Sequence, residues 1–346
     1  MPDTVQARGP GRVNLIGEHT DYNGGLALPF AISRGITVTA EPADDDRITA
    51  DARDLDEQDE FRLSAGGWGP IPEGWRAFVR GTVGELTRAG YALKPCRLTI
   101  EGDLERGAGL SSSAALSTAL SLALLEIAGE PEPDDRRELA KLCSRVENDW
   151  VGAETGMLDQ LASLCGGTGY AIRIDFRTLA IDPVPLDLAG WTLVTLDSGA
   201  VHSIAQSGYN DRRRECRDAC ERLGIDSLSE ANTPDIDSLP EPLAARARHV
   251  VTENARVDAM VQALADRDLE EAGRLLDASH ASLRDDYEAS VPEVERTVEA
   301  LKDAGAAGAR MVGGGFGGSV LALLRPGVVR PSGALVVDPG PPAALV

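Results

Sequence analysis

The stretch Gly9-Pro10-Gly11-Arg12-Val13-Asn14-Leu15-Ile16-Gly17-Glu18-His19-Thr20-Asp21-Tyr22-Asn23-Gly24-Gly25 is denser in polar residues than a structural turn requires. Val13, Leu15 and Ile16 read as the tail of a half-buried strand that Gly17 interrupts, so Glu18, His19 and Asp21 are expected to fan out at the strand's end. Two carboxylates, an imidazole and the Arg12 guanidinium within ten residues suit a ligand rich in hydroxyls, because each hydroxyl needs both a donor and an acceptor. A sugar is the expected ligand. A glycine-bounded hairpin carrying surface charges is the plainer alternative.

The 346 residues suffice for two domains with a cleft between them, where small-molecule sites commonly lie. The formal charge is -22 with a pI near 4.6, and only Lys94, Lys141 and Lys302 are lysines. Such a surface repels duplex nucleic acid, so no nucleic-acid partner is expected. Self-repulsion keeps it dispersed, and concentrated salt screens that repulsion, which points to a halophilic cytosol. No apolar run approaches the ~18 residues of a membrane span, and no basic segment followed by an apolar core opens the chain, so a cytoplasmic protein with no membrane partner is expected. Cys96, Cys143, Cys165, Cys216 and Cys220 lack metal-ligand spacing and are expected as free thiols.

Beyond the opening motif, 42–60 reads as an acidic loop or hairpin, Trp75 to Ala89 as a helix and Cys96 to Glu101 as a strand. Gly107-Ala108-Gly109-Leu110-Ser111-Ser112-Ser113-Ala114 then leads into an Ala/Leu-rich helix ending near Ala128. A glycine loop opening into a helix offers free backbone N–H groups and the positive end of the helix dipole to a phosphate. The hydroxyls at its mouth would add capping and a possible Mg²⁺ ligand. The same stretch also reads as a serine N-cap on a core helix. It is not a Walker A loop, since no lysine follows a glycine anywhere in the chain. Asp134 to Trp150 reads as a second helix, interrupted by Gly152 and Gly156 before a third begins at Met157. In one continuous helix Glu147 and Asp159 would stand roughly 18 Å apart. The glycines let the chain fold back, and the pair could then supply one carboxylate for a metal and one for a proton, as phosphoryl transfer to a hydroxyl requires.

Gly166 to Gly169 resembles a hinge, Trp191 to Leu196 a buried strand, and the arginine-rich 211–216 an exposed helix with internal ion pairs. Gly313-Gly314-Gly315-Phe316-Gly317-Gly318 fits G-x-G-x-x-G, but Ser319 to Leu324 reads as a strand and a Pro/Gly-rich tail follows, which is not a Rossmann unit. A glycine loop that supports the site from the second domain is expected.

Together these motifs resemble the galactokinases, within the GHMP small-molecule kinases. Pro10 to Gly25 is similar to the galactokinase signature, Gly107 to Ala114 to the family's phosphate loop, and Gly313 to Gly318 to its third motif. Glu147 with Gly156-Met157-Leu158-Asp159-Gln160, and Tyr209 to Cys216, also resemble family segments. The resemblance implies an α+β, two-domain GHMP kinase fold: an N-terminal ribosomal-S5-like α/β domain over 1–168 and a C-terminal ferredoxin-like α+β domain over 169–346. It implies ATP-dependent phosphorylation of galactose at the anomeric hydroxyl, with ATP and Mg²⁺. By position, Arg12 would steady the phosphoryl group and Asp159 would be the base. Ser113 and Glu147 would hold Mg²⁺, and Glu18, His19, Asp21, Gly156 and Tyr209 would touch the sugar. Gly107, Ala108, Gly109, Leu110, Ser111, Ser112 and Ser113 would cradle ATP.

The family commonly has a longer segment before its first motif, with cysteine at the place of Thr155 and histidine at that of Asn148. These departures bear on substrate preference more than on the reaction. A kinase for N-acetylgalactosamine, arabinose or galacturonate is the neighbouring expectation, and a silent galactose sensor a more distant one. A monomer or weak homo-oligomer is expected. From the surface charge, fold and activity should need salt on the order of 1 M, where the Debye length falls to about 3 Å. The check is melting temperature and turnover across a salt series; full activity with an unchanged melting temperature in dilute buffer would defeat the idea.

Overall fold

The computed structural model describes residues 3–63, 73–104, 109–200 and 205–346. In chain order the elements are β1 (Val5–Asn14), β2 (Leu26–Ala27), β3 (Pro29–Pro42), β4 (Arg47–Ala52), β5 (Glu57–Arg62), α1 (Trp75–Arg88), β6 (Cys96–Gly102), α2 (Ser112–Ala128), α3 (Arg136–Arg145), α4 (Leu158–Cys165), β7 (Tyr170–Asp175), β8 (Ala180–Pro185), β9 (Thr192–Asp197), α5 (Ala205–Leu223), α6 (Thr233–Ser238), α7 (Leu243–Asp266), α8 (Leu269–Asp285), α9 (Pro292–Asp303), β10 (Ala306–Met311), β11 (Ser319–Leu324), β12 (Leu335–Val336) and β13 (Ala344–Leu345). They build a six-stranded sheet in the order β13-β1-β3-β6-β4-β5, a four-stranded sheet β10-β11-β9-β12 and a small sheet β2-β7-β8.

The alternation expected at the end of β1 gives way to complete burial, because α2 covers one face of the strand so closely that a Cβ on Gly9 would lie 2.0 Å from the Ala115 carbonyl oxygen. Pro10, which has no N–H to give the ladder, sits where the register against β3 shifts, and its carbonyl accepts from Ser163 Oγ at 3.0 Å. The acidic 42–60 stretch is the hairpin of β4 and β5. α2 is buried almost all round and ends on Gly129 at φ 74°, the left-handed conformation that closes many helices.

One helix was expected from Asp134 to Trp150; α3 instead stops at Arg145 and a wider turn with π-type hydrogen bonding spans 146–151. The widening lets Val146 and Trp150 close over Gly81 of α1, where a Cβ would lie 2.8 Å from Val146 Cγ1, while the buried Glu147 lines the cleft described below. The glycine run at 166–169 is close-packed, not an open linker: a Cβ on Gly166 would meet Ala31, and one on Gly167 the Tyr170 ring.

One apolar cluster lies between the six-stranded sheet and α1 to α4, and another between the four-stranded sheet and α5 to α9. A third joins Val13, Leu15, Ile16 and Phe30 to Met260, Leu276, Val312 and Leu321, so the two halves of the chain share a core. β13 returns to pair with β1. Among the described residues no helix is long and apolar enough to cross a membrane.

α8 lies against β10 at a glycine pair, where a Cβ on Gly308 would come 1.9 Å from the Gly273 carbonyl oxygen. Backbone cannot yield as a side chain can, so Gly308→Ala is expected to destabilise the fold by about 1–3 kcal/mol, read as a lower melting temperature in thermal unfolding.

Candidate active site

The 15–25 turn brings buried polar groups to the end of β1, and side chains from the second half of the chain satisfy them. Arg310, fully buried on β10, donates from Nη1 to the carbonyls of Asn14 (2.9 Å) and Leu15 (3.0 Å), and its Nη2 stands 3.2 Å from Glu18 Oε1. From α7, Glu253 Oε1 accepts the Gly17 N–H at 3.0 Å, Asn254 Oδ1 accepts that of Leu26 at 2.8 Å, and His249 Nε2 lies 3.1 Å from the Glu18 carbonyl. The neighbouring His249 ring and the Arg256 and Arg310 guanidiniums, with Ser279 donating to it, hold the Glu253 carboxyl down at about 2 against the opposing effect of its burial. Gly313 of the third glycine motif donates its N–H to Glu18 Oε1 at 2.8 Å. Of these partners only Gly313, in the glycine loop expected to support the site, was singled out from the sequence; Arg310, His249, Glu253 and Asn254 were not.

Arg12 faces α4. Its Nε donates to Asp159 Oδ1 at 2.7 Å and its Nη1 to the Gly109 carbonyl at 2.6 Å. Ser111 donates its hydroxyl to Asp159 Oδ2. This corrects the capping reading of that serine: Ser111 sits at φ 60°, its side chain caps no helical N–H, and the hydroxyl is committed to the acid across the cleft. Gly107 and Ala108 lie outside the described residues. Gly109, Leu110, Ser111, Ser112 and Ser113 line a cleft of about 440 Å³ together with Arg12, Glu147, Asp159, Tyr209 and the third glycine motif.

The bend at 152–157 brings Glu147 and Asp159 onto this one cleft. Glu147 Oε2 accepts from Gln160 Nε2 at 2.6 Å, and burial followed by the charge on Asp159 pushes its carboxyl up to about 7. A buried acid beside a second acid is a group in want of a cation, and an oxygen ligand facing Ser113 across the same cleft fits a hard divalent ion. Among the described residues no three His, Cys, Asp or Glu side chains cluster closely enough to hold a metal alone. Two protein oxygens with nucleotide phosphates therefore match the chemistry of Mg²⁺ better than an all-protein cage.

A second, smaller cavity of about 80 Å³ opens from the first, lined by Arg12, Glu18, His19, Asp21, Gly156, Asp159, Tyr209 and Gly314 among others. Every sugar-contacting candidate from the sequence thus meets in one place, with Arg12 and Asp159 on the wall between the two spaces. Burial raises Asp21 to about 6 and lowers His19 to about 3, so the imidazole is neutral near pH 7. Gly156 is needed for closeness: a Cβ there would fall 1.9 Å from Asp21 Oδ2. Tyr209 lies with its ring centroid 5.4 Å from that of His19.

The arginine run beside Tyr209 is more than an exposed, internally paired face. The Arg212–Glu215 and Arg214–Asp211 pairs do form. Arg212 is largely buried, however, and donates to the Tyr287 carbonyl at 2.6 Å, while Arg213 crosses to the Glu154 carbonyl and stacks over Tyr22. A third space of about 590 Å³, lined among others by Trp75, Phe78, Ile100, Leu104 and Leu116, shares Ser112 and Ser113 with the cleft. In the sequence Trp75 and Phe78 carried only a core signal.

The chain matches the family models described as galactokinase galactose-binding signature over residues 2–42, GHMP kinases N terminal domain over 77–167 and GHMP kinases C terminal over 260–330. It is 40% identical to a galactokinase of Thermotoga neapolitana over 328 residues, 93% of this chain and 90% of that protein. It is 43% identical to a galactokinase of Mycobacterium tuberculosis over 327 residues, 93% of this chain and 89% of the relative. The crystal structure of Lactococcus lactis galactokinase complexed with galactose superimposes with a TM-score of 0.92 at 34% identity, covering 99% of this chain and 95% of that one. The L. major mevalonate kinase in complex with R-mevalonate shares the fold, with a TM-score of 0.67 at 20% identity over 98% of this chain and 97% of that one. With the N- and C-terminal domains of the GHMP kinases and relatives at 40% and 43% identity over 93% of its length, the chain belongs to the galactokinase family.

Proposed function

We propose that the chain transfers the γ-phosphoryl group of ATP to the anomeric hydroxyl of D-galactose, giving galactose 1-phosphate and ADP. The observation that carries this reading is the continuity of three spaces: an apolar cavity, a glycine-lined cleft and a small polar cavity, with Arg12 and Asp159 standing where the last two meet. Adenine fits the first, between Trp75, Phe78 and Leu104; the phosphates fit the second, against the start of α2 and its dipole. Galactose fits the third, where Glu18, His19, Asp21 and Tyr209 supply both donors and acceptors for its hydroxyls.

Asp159 acts as the base. With one oxygen on Arg12 and the other on Ser111, its carboxylate is held in a fixed place beside the reacting hydroxyl, and placement matters more than basicity when the hydroxyl proton leaves late in a loose transition state. Arg12, anchored through Nε and Nη1, stabilises the charge that grows on the transferring phosphoryl oxygens. Ser113 and Glu147 hold Mg²⁺, which supplies charge neutralisation on the phosphates when bound. The division at residue 168 fits this arrangement, with the sugar turn and phosphate loop before it and Tyr209 and the third glycine motif after it.

A panel of galactose, N-acetylgalactosamine, arabinose and galacturonate assayed by ADP release tests the substrate; a higher kcat/KM for any of the others overturns the choice of galactose. Asp159→Asn is expected to keep galactose binding by calorimetry while kcat falls by about 10² or more, and a kcat within about tenfold of the parent places the proton elsewhere. Glu147→Gln is expected to raise the Mg²⁺ concentration needed for half-maximal rate. Gly156→Ala, which pushes a methyl onto Asp21, is expected to raise the galactose KM about tenfold or more with the ATP KM little changed, as steady-state kinetics in both substrates will read.

A further inference from the structure

Behind the sugar cavity a file of hydrogen-bonding groups runs from α5 to His19. Cys216 Sγ lies 3.1 Å from the Tyr287 hydroxyl, that hydroxyl 2.8 Å from the hydroxyl of Tyr22, and the latter 2.7 Å from His19 Nδ1. His19, Cys216 and Tyr287 are each more than nine-tenths buried. The other ring nitrogen, His19 Nε2, is buried without a hydrogen-bond partner among the described residues, and His19 forms part of the wall of the 80 Å³ cavity. We infer that this file fixes His19 in the tautomer protonated at Nε2, so that the ring presents an N–H donor to a sugar oxygen. Tyr22 and Tyr287 are then positioning residues for sugar recognition. The inference rests on the placing of His19 against galactose proposed above.

The direction of the file follows from its far end. Asn23 Nδ2 donates to the His19 carbonyl at 2.7 Å, which can only accept, so the amide orientation is fixed and its N–H also points to Cys216 Sγ at 3.6 Å. The sulfur thus accepts from Asn23 and its own proton is free for Tyr287. Tyr287 donates onward to Tyr22, and Tyr22 to His19 Nδ1, which must accept and leaves the proton on Nε2. Run the other way, the sulfur accepts twice, the thiol proton has no partner in the file, and the bare nitrogen belongs to a ring in the wall of a cavity already lined by Glu18, Asp21 and Asp159. A sugar hydroxyl donates as well as accepts: the carboxylates take its protons, and His19 supplies the donor that they cannot.

Burial keeps every member neutral, so the file transmits the orientation of protons and not charge. Both tyrosines titrate well above their usual range, Cys216 is pushed up to about 11 and His19 down to about 3, with burial the leading cause in each case.

The test is the tautomer of His19 in the full-length protein, read from its ¹⁵N imidazole shifts at neutral pH and assigned with His19→Gln, alongside steady-state kinetics. The parent is expected in the Nε2–H form. Tyr22→Phe and Tyr287→Phe are expected to shift the ring towards a mixture of tautomers and to raise the galactose KM up to about tenfold with little change in kcat, the size of one lost hydrogen bond. Cys216→Ala, which leaves the Tyr287 hydroxyl no acceptor but Tyr22, is expected to keep the parent tautomer. An Nδ1–H ring in the parent or in Cys216→Ala, or an unchanged tautomer in both Tyr22→Phe and Tyr287→Phe, overturns the inference. A shifted tautomer with an unaltered galactose KM leaves the file standing and overturns instead the aim of His19 at the sugar.

Discussion

The site depends on the burial of a turn that only partly satisfies itself. Leu15 and Ile16 pair with Leu28 and Thr20 closes the loop internally, but the Leu15 and Glu18 carbonyls, the Gly17 N–H and the buried Glu18 carboxylate must be met by other parts of the chain or remain as a cost of about 1–3 kcal/mol each. Arg310, His249, Glu253 and Asn254 meet them. Removing one side of such a buried arrangement commonly costs about 3–5 kcal/mol, because the other charge is left uncompensated. The sugar-facing side chains therefore stand on a backbone that is fixed only when both halves of the chain are folded together.

The same logic explains why two cations lie among four acids at the centre. Arg12 and Arg310 are buried beside Glu18, Asp159, Glu147 and Asp21. The acids without a close cation, Glu147 and Asp21, are the ones burial pushes upward, to about 7 and about 6. Hydroxyls and a divalent ion are ligands that relieve this strain. The groups held down or paired, Asp159 on Arg12 and Glu253 beside Arg256 and Arg310, are those whose position the chemistry or the scaffold needs fixed.

Close backbone approach does the remaining positioning. Gly9 lets α2 lie on β1, Gly156 lets the 152–157 loop reach Asp21, and Gly314 packs against the Tyr209 ring, each at distances that a Cβ would forbid. The glycine motifs thus serve closeness as much as phosphate binding.

How much of this was legible in the sequence differs by the range of the interaction. Local periodicity and turn chemistry were enough for α1, β6, α2, β9 and β11, because their own apolar pattern commits them to burial against whatever neighbour they meet. The motif order nominated the residues that line the cleft, since Arg12, Glu18, His19 and Asp21 lie within one short stretch and Glu147 and Asp159 are linked by two glycines. What only the tertiary structure decided was who satisfies whom. Ser111 was free to cap its helix until Asp159 came within reach; Arg213 was free to pair within its helix until Glu154 arrived across the cleft; Arg310, Glu253 and Tyr287 carried no signal of their own until the turn needed partners. Hydrogen bonds between groups more than two hundred residues apart leave no period in a sequence, so the motifs named the chemistry and the packing of the second half on the first determined its geometry.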